Sequence, residues 1–267
     1  MTQFEDYRLS GDDPSRKLEH LDYAAEISRK RKQRVYDLMQ VQAGSKVLDV
    51  GCGAGADTIP LAHRVGPSGQ VVGIDLDEAM LAEANRKAQK AGVATWTEHR
   101  QVDATAMPFA DNSFDACHAE RIFMHLPHPE VVLAEIVRVT RPGGWIVIVD
   151  VDCAMTSFDS PEIEVERLMV HYKVKQLANG YAGRRLYGQF KRQGLVDVSV
   201  HVEPLVMHDL PQALYLFKMD DVQEEAIADG AVTKEQVNSF RTRLEQAYAE
   251  DAFFHCISLI TTVGRKR

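Results

Sequence analysis

The chain alternates between short apolar runs and longer stretches in which apolar residues recur every three or four positions. The first pattern predicts buried strands and the second predicts helices. The five predicted strands are Lys46–Val50, Gln70–Asp75, Trp96–Val102, Phe114–Ala119 and Trp145–Asp150. The predicted helices between them are Thr58–Val65, Glu78–Ala91 and Pro129–Thr140. Continuous apolar strands separated by helices are typical of a parallel sheet that is buried on both faces.

The pattern changes after Asp150. Helical spacing continues over 160–177, 184–193, 211–228 and 233–249. Val196–Val202 alternates apolar and polar residues, and Phe253–Val263 is a closing apolar run. These last two segments predict a C-terminal antiparallel hairpin. We therefore expect an α/β fold of the Rossmann-like, doubly wound kind, with a mostly parallel seven-stranded sheet and helical lid additions.

We expect one domain over residues 1–267, because the chain contains no linker, repeat or low-complexity tract. Residues 1–40 would form an N-terminal helical lid before a core of residues 41–152. Residues 153–193 and 209–250 would form helical cap additions. The basic run Arg29–Lys32 is interpreted as the exposed face of a helix.

Composition and charge restrict the class of function. The 267 residues include 31 Lys and Arg against 39 Asp and Glu, a net charge of −8, which argues against a protein that binds nucleic acid. No apolar run reaches the length of a membrane span. The four cysteines are dispersed and lack metal-ligand spacing, as expected for reduced thiols in the cytoplasm. We expect a cytoplasmic globular protein without a metal site.

A glycine-rich segment follows the first predicted strand. Gly51, Gly53 and Gly55 permit a tight turn and close approach of backbone to a ligand. The same spacing would suit NAD or FAD. Asp49, however, would repel a pyrophosphate and suits a ligand with an ammonium or sulfonium charge. Asp75 ends the second strand, where a carboxylate can accept hydrogen bonds from both ribose hydroxyls.

Four motifs in order carry a resemblance to a known family. They are Asp49–Gly55, Gly73–Asp75, Asp103–Ala104 followed by Met107–Phe109, and Arg141–Gly144. By these motifs the chain resembles the class I S-adenosylmethionine-dependent methyltransferases over about residues 35–150. Asp111–Asp115 and Arg138–Gly144 are similar to the branch that contains ubiquinone/menaquinone-type and natural-product methyltransferases.

The resemblance implies S-adenosylmethionine as cofactor, bound by the core at 41–152. The backbone of Gly51 and Gly53 would contact its methionine part, and Asp75 its ribose. Leu76 and Met80 would flank the adenine, Asp103 would bind the adenine amino group, and the Ala104 amide would lie near a ring nitrogen. The backbone of Glu120 or Arg121, past the fourth strand, would meet the methionine amine. Asp75 as a loop cap and Asp103 as a helix N-cap are the alternatives.

Residues just after the fourth and fifth strands are expected to face the reaction. His125 is the candidate general base, with Asp152 or Asp150 as an orienting carboxylate. His125 could instead only pack its loop, and His118 is interpreted as a satisfied core residue. We expect methylation of a small molecule, with oxygen favoured over nitrogen or carbon as acceptor. Cofactor binding without methyl transfer is the alternative, and homodimer formation is left open.

Overall fold

The computed structural model describes residues 29–267, so most of the expected lid at 1–40 lies outside the described residues. Within that range the chain forms nine α-helices and eight strands. The helices are α1 Arg29–Leu38, α2 Thr58–Val65, α3 Glu78–Lys90, α4 Pro129–Val139, α5 Ile163–Gln176, α6 Ala182–Arg192, α7 Leu210–Phe217, α8 Met219–Ala228 and α9 Lys234–Ala249. The strands are β1 Lys46–Val50, β2 Gln70–Asp75, β3 Thr97–Gln101, β4 Phe114–Glu120, β5 Thr140–Val151, β6 Ser157–Phe158, β7 Val196–Met207 and β8 His255–Arg265.

The strands form one sheet in the order β3-β2-β1-β4-β5-β8-β6, with β7 paired to β8. The pairs from β3 to β5 are parallel, and β8 is antiparallel to β5, β6 and β7. The expected Rossmann-like sheet with a C-terminal antiparallel hairpin is confirmed. The two-residue strand β6 adds an eighth strand to the seven expected, because Ser157 and Phe158 pair with the start of β8.

Alternation along each strand supplies both faces of the sheet with apolar side chains. In β1, Leu48 packs with helices α4 and α6, whereas Val47 packs on the opposite face with α1 and α2. A third apolar cluster lies mainly in helices α5 and α7–α9, which we call the helical cap, and includes Phe158 of β6 and Met207 of β7. Among residues 29–267, no helix is long and apolar enough to cross a membrane.

Two boundaries differ from the prediction because of backbone conformation. Strand β5 begins at Thr140, since the Pro142–Gly144 segment stays beside β4 and produces a register shift. At Gly144 a Cβ atom would lie 2.6 Å from the Asp115 carbonyl oxygen, so this approach requires glycine. The expected helix over 211–228 is divided into α7 and α8 at Lys218, which adopts a left-handed φ of 53°.

The order of the sheet fixes where a ligand can bind. Strand β1 has β2 on one side and β4 on the other, so the chain reverses its winding between β1 and β4. Ligands of open α/β sheets bind beside such a reversal, at the carboxyl ends of the strands. Gly51, Asp75, Glu120 and Asp152 all follow or end strands at this edge. We call it the carboxyl edge.

Candidate functional site

The glycine loop closes over the end of β2. The amides of Gly51 and Cys52 both donate to the Ile74 carbonyl, at 2.8 and 2.9 Å. Gly51 and Gly53 adopt φ values of 70° and 50°, which side-chain-bearing residues rarely adopt. A Cβ atom on Gly51 would lie 2.3 Å from Ile122, whereas one on Gly53 would meet no described atom within 4 Å. Packing therefore requires the first glycine, and the second presents bare backbone to open space.

Asp75 lies at the end of β2 with both carboxylate oxygens directed at backbone. Oδ2 accepts from the Gly53 amide at 2.8 Å, and Oδ1 accepts from the Asp77 amide at 3.0 Å. Each carboxylate oxygen can accept a second bond, so the group can still bind a diol. Beside it, Leu76 is 49% exposed, whereas Met80 is only 2% exposed. Of the two predicted adenine contacts, Leu76 therefore has the surface to make one.

Asp103 forms a local turn after β3. Its Oδ1 accepts from both the amide and the hydroxyl of Thr105, at 2.8 and 2.7 Å. These two bonds match the capping alternative, and they leave Oδ2 for a ligand. The adjacent Ala104 is partly buried against the apolar core. Both residues thus sit at the carboxyl edge as predicted, and their role in adenine binding stays a prediction.

Helix α1 brings two basic side chains to buried carboxylates at this edge. Lys32 Nζ lies 2.6 Å from Asp57 Oδ2 and 3.4 Å from Glu120 Oε1. Arg31 Nη2 lies 2.7 Å from the same Glu120 oxygen. The interpretation of Arg29–Lys32 as an exposed face is wrong for these two residues, because the side chains of Arg31 and Lys32 are 9% and 5% exposed.

A buried imidazole–carboxylate pair completes the arrangement. His118 Nδ1 on β4 lies 2.9 Å from Asp49 Oδ1 on β1. Burial raises the pKa of Asp49 to about 6, although the hydrogen bond from His118 opposes the change. Burial lowers the pKa of His118, but the Asp49 hydrogen bond and the charges of Asp57 and Glu120 outweigh it, so this pKa lies above its ordinary value. We call Arg31, Lys32, Asp49, Asp57, His118 and Glu120 the buried charged cluster.

Several polar atoms of this cluster have no hydrogen-bond partner among residues 29–267. They are Arg31 Nε and Nη1, Asp49 Oδ2, His118 Nε2 and Glu120 Oε2. Buried polar atoms are normally paired, so a group of unpaired ones makes this place a candidate ligand site. The set contains donors and acceptors together, which suits an amino acid with its carboxylate and ammonium. His118 is therefore only half satisfied by its partners in the described part of the chain.

The same place contains one group of potential metal ligands among the described residues. Donor atoms of Asp57, His118 and Glu120 lie within 4.8 Å of one another. Lys32 Nζ lies between the two carboxylates and already supplies a positive charge. Burial raises the pKa of Asp57, but the charges of Lys32 and His118 lower it well below its usual range. The two carboxylates of this group therefore bind the ammonium group of Lys32.

His125 ends a short 3₁₀ turn, Phe123–His125, that follows β4 at the carboxyl edge. Asp150, at the end of β5, accepts from the amides of Phe123 and Met124 at 2.7 and 3.3 Å. Burial raises the pKa of Asp150 to about 7, despite these backbone bonds. The structure therefore places Asp150 against the turn that bears His125.

Asp152 is fully buried just beyond β5 and is bound by two other groups. Its Oδ1 accepts from Arg184 Nη2 at 2.9 Å and from the Ala154 amide at 3.2 Å, and its Oδ2 pairs with Arg184 Nε. Arg184 belongs to helix α6, so this ion pair joins the additions to the sheet. The orienting role of Asp152 toward His125 stays a prediction.

Sequence reasoning missed Arg31, Lys32, Tyr36, Asp57 and Asn179. Tyr36 donates to Asp57 Oδ1 at 2.6 Å. The available signal for Arg31 and Lys32 was a basic pair just before the apolar face of a helix. Their partners could not be predicted, because Asp57 lies 25 residues from Lys32 and Glu120 lies 89 residues from Arg31. Asn179 lies in the cap addition, where no motif marks it.

A family model described as a methyltransferase domain matches residues 42–197. An uncharacterised 37.1 kDa protein in transposon TN4556 of Streptomyces fradiae is 34% identical over 216 residues, which cover 80% of this chain and 62% of that protein. The ubiquinone/menaquinone biosynthesis C-methyltransferase UbiE of Pseudomonas fluorescens is 36% identical over 119 residues, 45% of this chain and 46% of that protein. The chain thus spans about half to three-fifths of the length of these relatives.

Solved structures share the fold at low sequence identity. The YcgJ protein of Bacillus subtilis aligns with a TM-score of 0.66 at 20% identity, over 90% of this chain and 99% of that chain. At this identity the likeness shows the fold alone.

Proposed function

The chain belongs to the class I S-adenosylmethionine-dependent methyltransferases, and from that premise we propose that it methylates an oxygen atom of a small molecule. The observation that supports oxygen as acceptor is His125, a partly buried imidazole on the turn after β4. A hydroxyl nucleophile must lose its proton during transfer, and an imidazole near neutral pKa suits that task. Nitrogen acceptors that carry a free lone pair need no such base.

S-adenosylmethionine is the cofactor, and the residues present fit it. Asp75 would hold the ribose and the Gly53 backbone would approach the methionine part. Asp103 would bind the adenine amino group, with Leu76 against the ring. The unpaired atoms of the buried charged cluster support a role at the amino acid end. There Asp49 and Glu120 would bind the ammonium, and Arg31 would bind the carboxylate.

When bound, the cofactor supplies a methyl group activated by a sulfonium. The acceptor oxygen would form a bond to the methyl carbon as the carbon–sulfur bond breaks and its electron pair goes to sulfur. His125 would accept the hydroxyl proton. Asp150 would hold the turn so that the imidazole faces the acceptor, and alignment of this kind accounts for much of the rate.

Carbon methylation is the second candidate, favoured by the UbiE relative, whose name states a C-methyltransferase. The same imidazole would remove a phenolic proton, and the phenolate so formed carries negative charge on its ring carbons, which makes them nucleophilic. The two candidates therefore share the residue and differ in the acceptor atom. Only the position of the new methyl group separates them.

The test is a panel of phenolic, quinol and amine acceptors incubated with S-adenosylmethionine, with products located by mass spectrometry and NMR. We expect an O-methyl product, and a drop in kcat of about 10²- to 10⁴-fold for His125→Asn. His201→Asn, on the exposed part of β7, is the matched control and should keep wild-type turnover. Carbon methylation would favour the second candidate. Cofactor binding without a methylated product would contradict both.

A further inference from the structure

The turn that bears His125 is a single 3₁₀ turn of three residues. Bonds within residues 122–126 run from the His125 amide to the Ile122 carbonyl at 2.9 Å and from the Leu126 amide to the Phe123 carbonyl at 3.3 Å. Asp150 binds the amides of Phe123 and Met124, as described above. The carbonyl oxygens of the same two residues can each accept a bond from another part of the chain, since a carbonyl oxygen has two lone pairs.

Asn179 supplies both of these bonds. Its backbone amide donates to the Met124 carbonyl at 3.0 Å, and its side-chain Nδ2 donates to the Phe123 carbonyl at 3.2 Å. Asn179 is 4% exposed and lies between α5 and α6, in the addition that follows β5. The two residues before His125 are thus bound on their amides by Asp150 and on their carbonyls by Asn179.

The surroundings of Asn179 fix which way its amide points. Arg185 Nη1 donates to Asn179 Oδ1 at 2.7 Å, which leaves Nδ2 to face the Phe123 carbonyl. The neighbouring Gly180 carbonyl accepts from the Cys153 amide at 3.1 Å, just beyond β5. A Cβ atom on Gly180 would lie 2.5 Å from the Val174 carbonyl oxygen, so the segment packs against α5 through bare backbone. Contacts with Arg185 and α5 therefore orient the Asn179 side chain toward the turn.

We propose that Asn179 is a positioning residue that holds His125 in place through the backbone of the turn. The inference rests on the proposed role of His125 and extends it to the segment after β5. The Asp150 carboxylate reaches the turn from the end of β5. The Asn179 amide reaches it from the segment between α5 and α6, which belongs to the addition after β5. Placement of the base therefore depends on docking of that addition, and loss of one hydrogen bond at residue 179 should affect catalysis more than cofactor binding.

The decisive variant is Asn179→Asp, which keeps the size and the acceptor for Arg185 but cannot donate to the Phe123 carbonyl. We expect kcat to fall about 10- to 100-fold, as is usual for groups that orient a functional residue, while the Kd for S-adenosylhomocysteine stays within about threefold. Asn238→Asp on the exposed face of α9 is the matched control and should leave both values unchanged. Asn179→Ser, which restores a side-chain donor, should recover part of the loss.

A double-mutant cycle separates positioning from a general structural role. If Asn179 acts through His125, Asn179→Asp should cause no further loss of kcat in a His125→Asn background. Full additivity, or wild-type kcat in the single variant, would overturn the proposal. So would an equal loss of S-adenosylhomocysteine binding, which would indicate collapse of the site.

Hydrogen–deuterium exchange of the peptide that contains Phe123 and Met124 gives a readout without any acceptor. Exchange of this peptide should accelerate in Asn179→Asp and in the less conservative Arg185→Gln, and not in Asn238→Asp. Unchanged exchange in both variants would contradict the proposal that Asn179 holds the turn. Faster exchange in an enzyme that methylates no acceptor would overturn the proposed function but would still support the role of Asn179 in holding the turn.

Discussion

Two histidines of this chain are equally buried and differ in almost everything else. His118 in β4 and His255 in β8 are 0% and 1% exposed. His118 lies among the carboxylates of the buried charged cluster, whereas the His255 ring, at the start of β8, packs against Phe158 at 4.3 Å between ring centroids. Neither nitrogen of His255 has a partner among residues 29–267. Burial lowers the pKa of His255 to about 4, whereas that of His118 is raised.

The difference shows how each region is stabilised. His118 lies 2.9 Å from the Asp49 carboxylate, and the neighbouring carboxylates of Asp57 and Glu120 pair with Lys32 and Arg31, so buried charges of both signs lie together. Around His255 the chain places aromatic rings, so only the neutral imidazole is tolerated. The carboxyl edge is therefore suited to a charged ligand, and the helical cap is a packed apolar layer.

The largest expected effect comes from removing the cation of the charged cluster. Lys32→Met leaves Asp57 and Glu120 buried without their ammonium, and we expect a loss of about 3–5 kcal/mol in the free energy of unfolding. Urea denaturation measures it. The control is Arg34→Met on the same helix, whose side chain is 78% exposed in its pair with Glu203. If both variants lose less than about 1 kcal/mol, the value of an exposed pair, the cluster is not ion-paired in solution.

The second largest expected effect is the dependence of stability on pH that His255 causes. Because the folded pKa of His255 is about 4, below its ordinary 6.5, the unfolded chain binds a proton first as the pH falls. As the pH falls from 6.5 to 4, His255 therefore lowers the free energy of unfolding by up to about 3 kcal/mol. Below pH 4 this cost stays constant. His255→Phe should flatten this part of the stability profile, measured by denaturation at several pH values. His201→Phe on exposed β7 should not, and an unchanged slope in His255→Phe would contradict the assignment.

The third and smallest effect concerns His118. Its raised pKa stabilises the fold below pH 6.5, and this contribution is lost as the pH rises through the folded value. Asp49→Asn removes the carboxylate that it hydrogen-bonds, so we expect the pKa of His118 to fall toward or below its ordinary value. NMR titration of labelled histidine side chains measures the change. A pKa that stays above its ordinary value would show that Asp57 and Glu120 alone maintain it.

The two regions were not equally readable from sequence. The strand bounds of β1 and β2 and the bounds of α2 were predicted to the residue, since a strict apolar period and glycine punctuation coincide there. The chemistry of the cluster was not, because Arg31 and Glu120 are 89 residues apart and only the fold brings them together. In the cap, the break at Lys218 depends on a left-handed residue that is not glycine, which no local pattern indicates.

The most direct test of the central claim, that the carboxyl edge holds S-adenosylmethionine, is calorimetric titration with S-adenosylhomocysteine. The wild type should bind it in the micromolar range, and Asp75→Ala should weaken binding by about 100-fold or more, because charged hydrogen bonds to both ribose hydroxyls are lost. His255→Phe, at the start of β8, should bind S-adenosylhomocysteine like the wild type, and NADH should not bind to either protein. Binding that is indifferent to Asp75, or tight binding of NADH, would contradict the account.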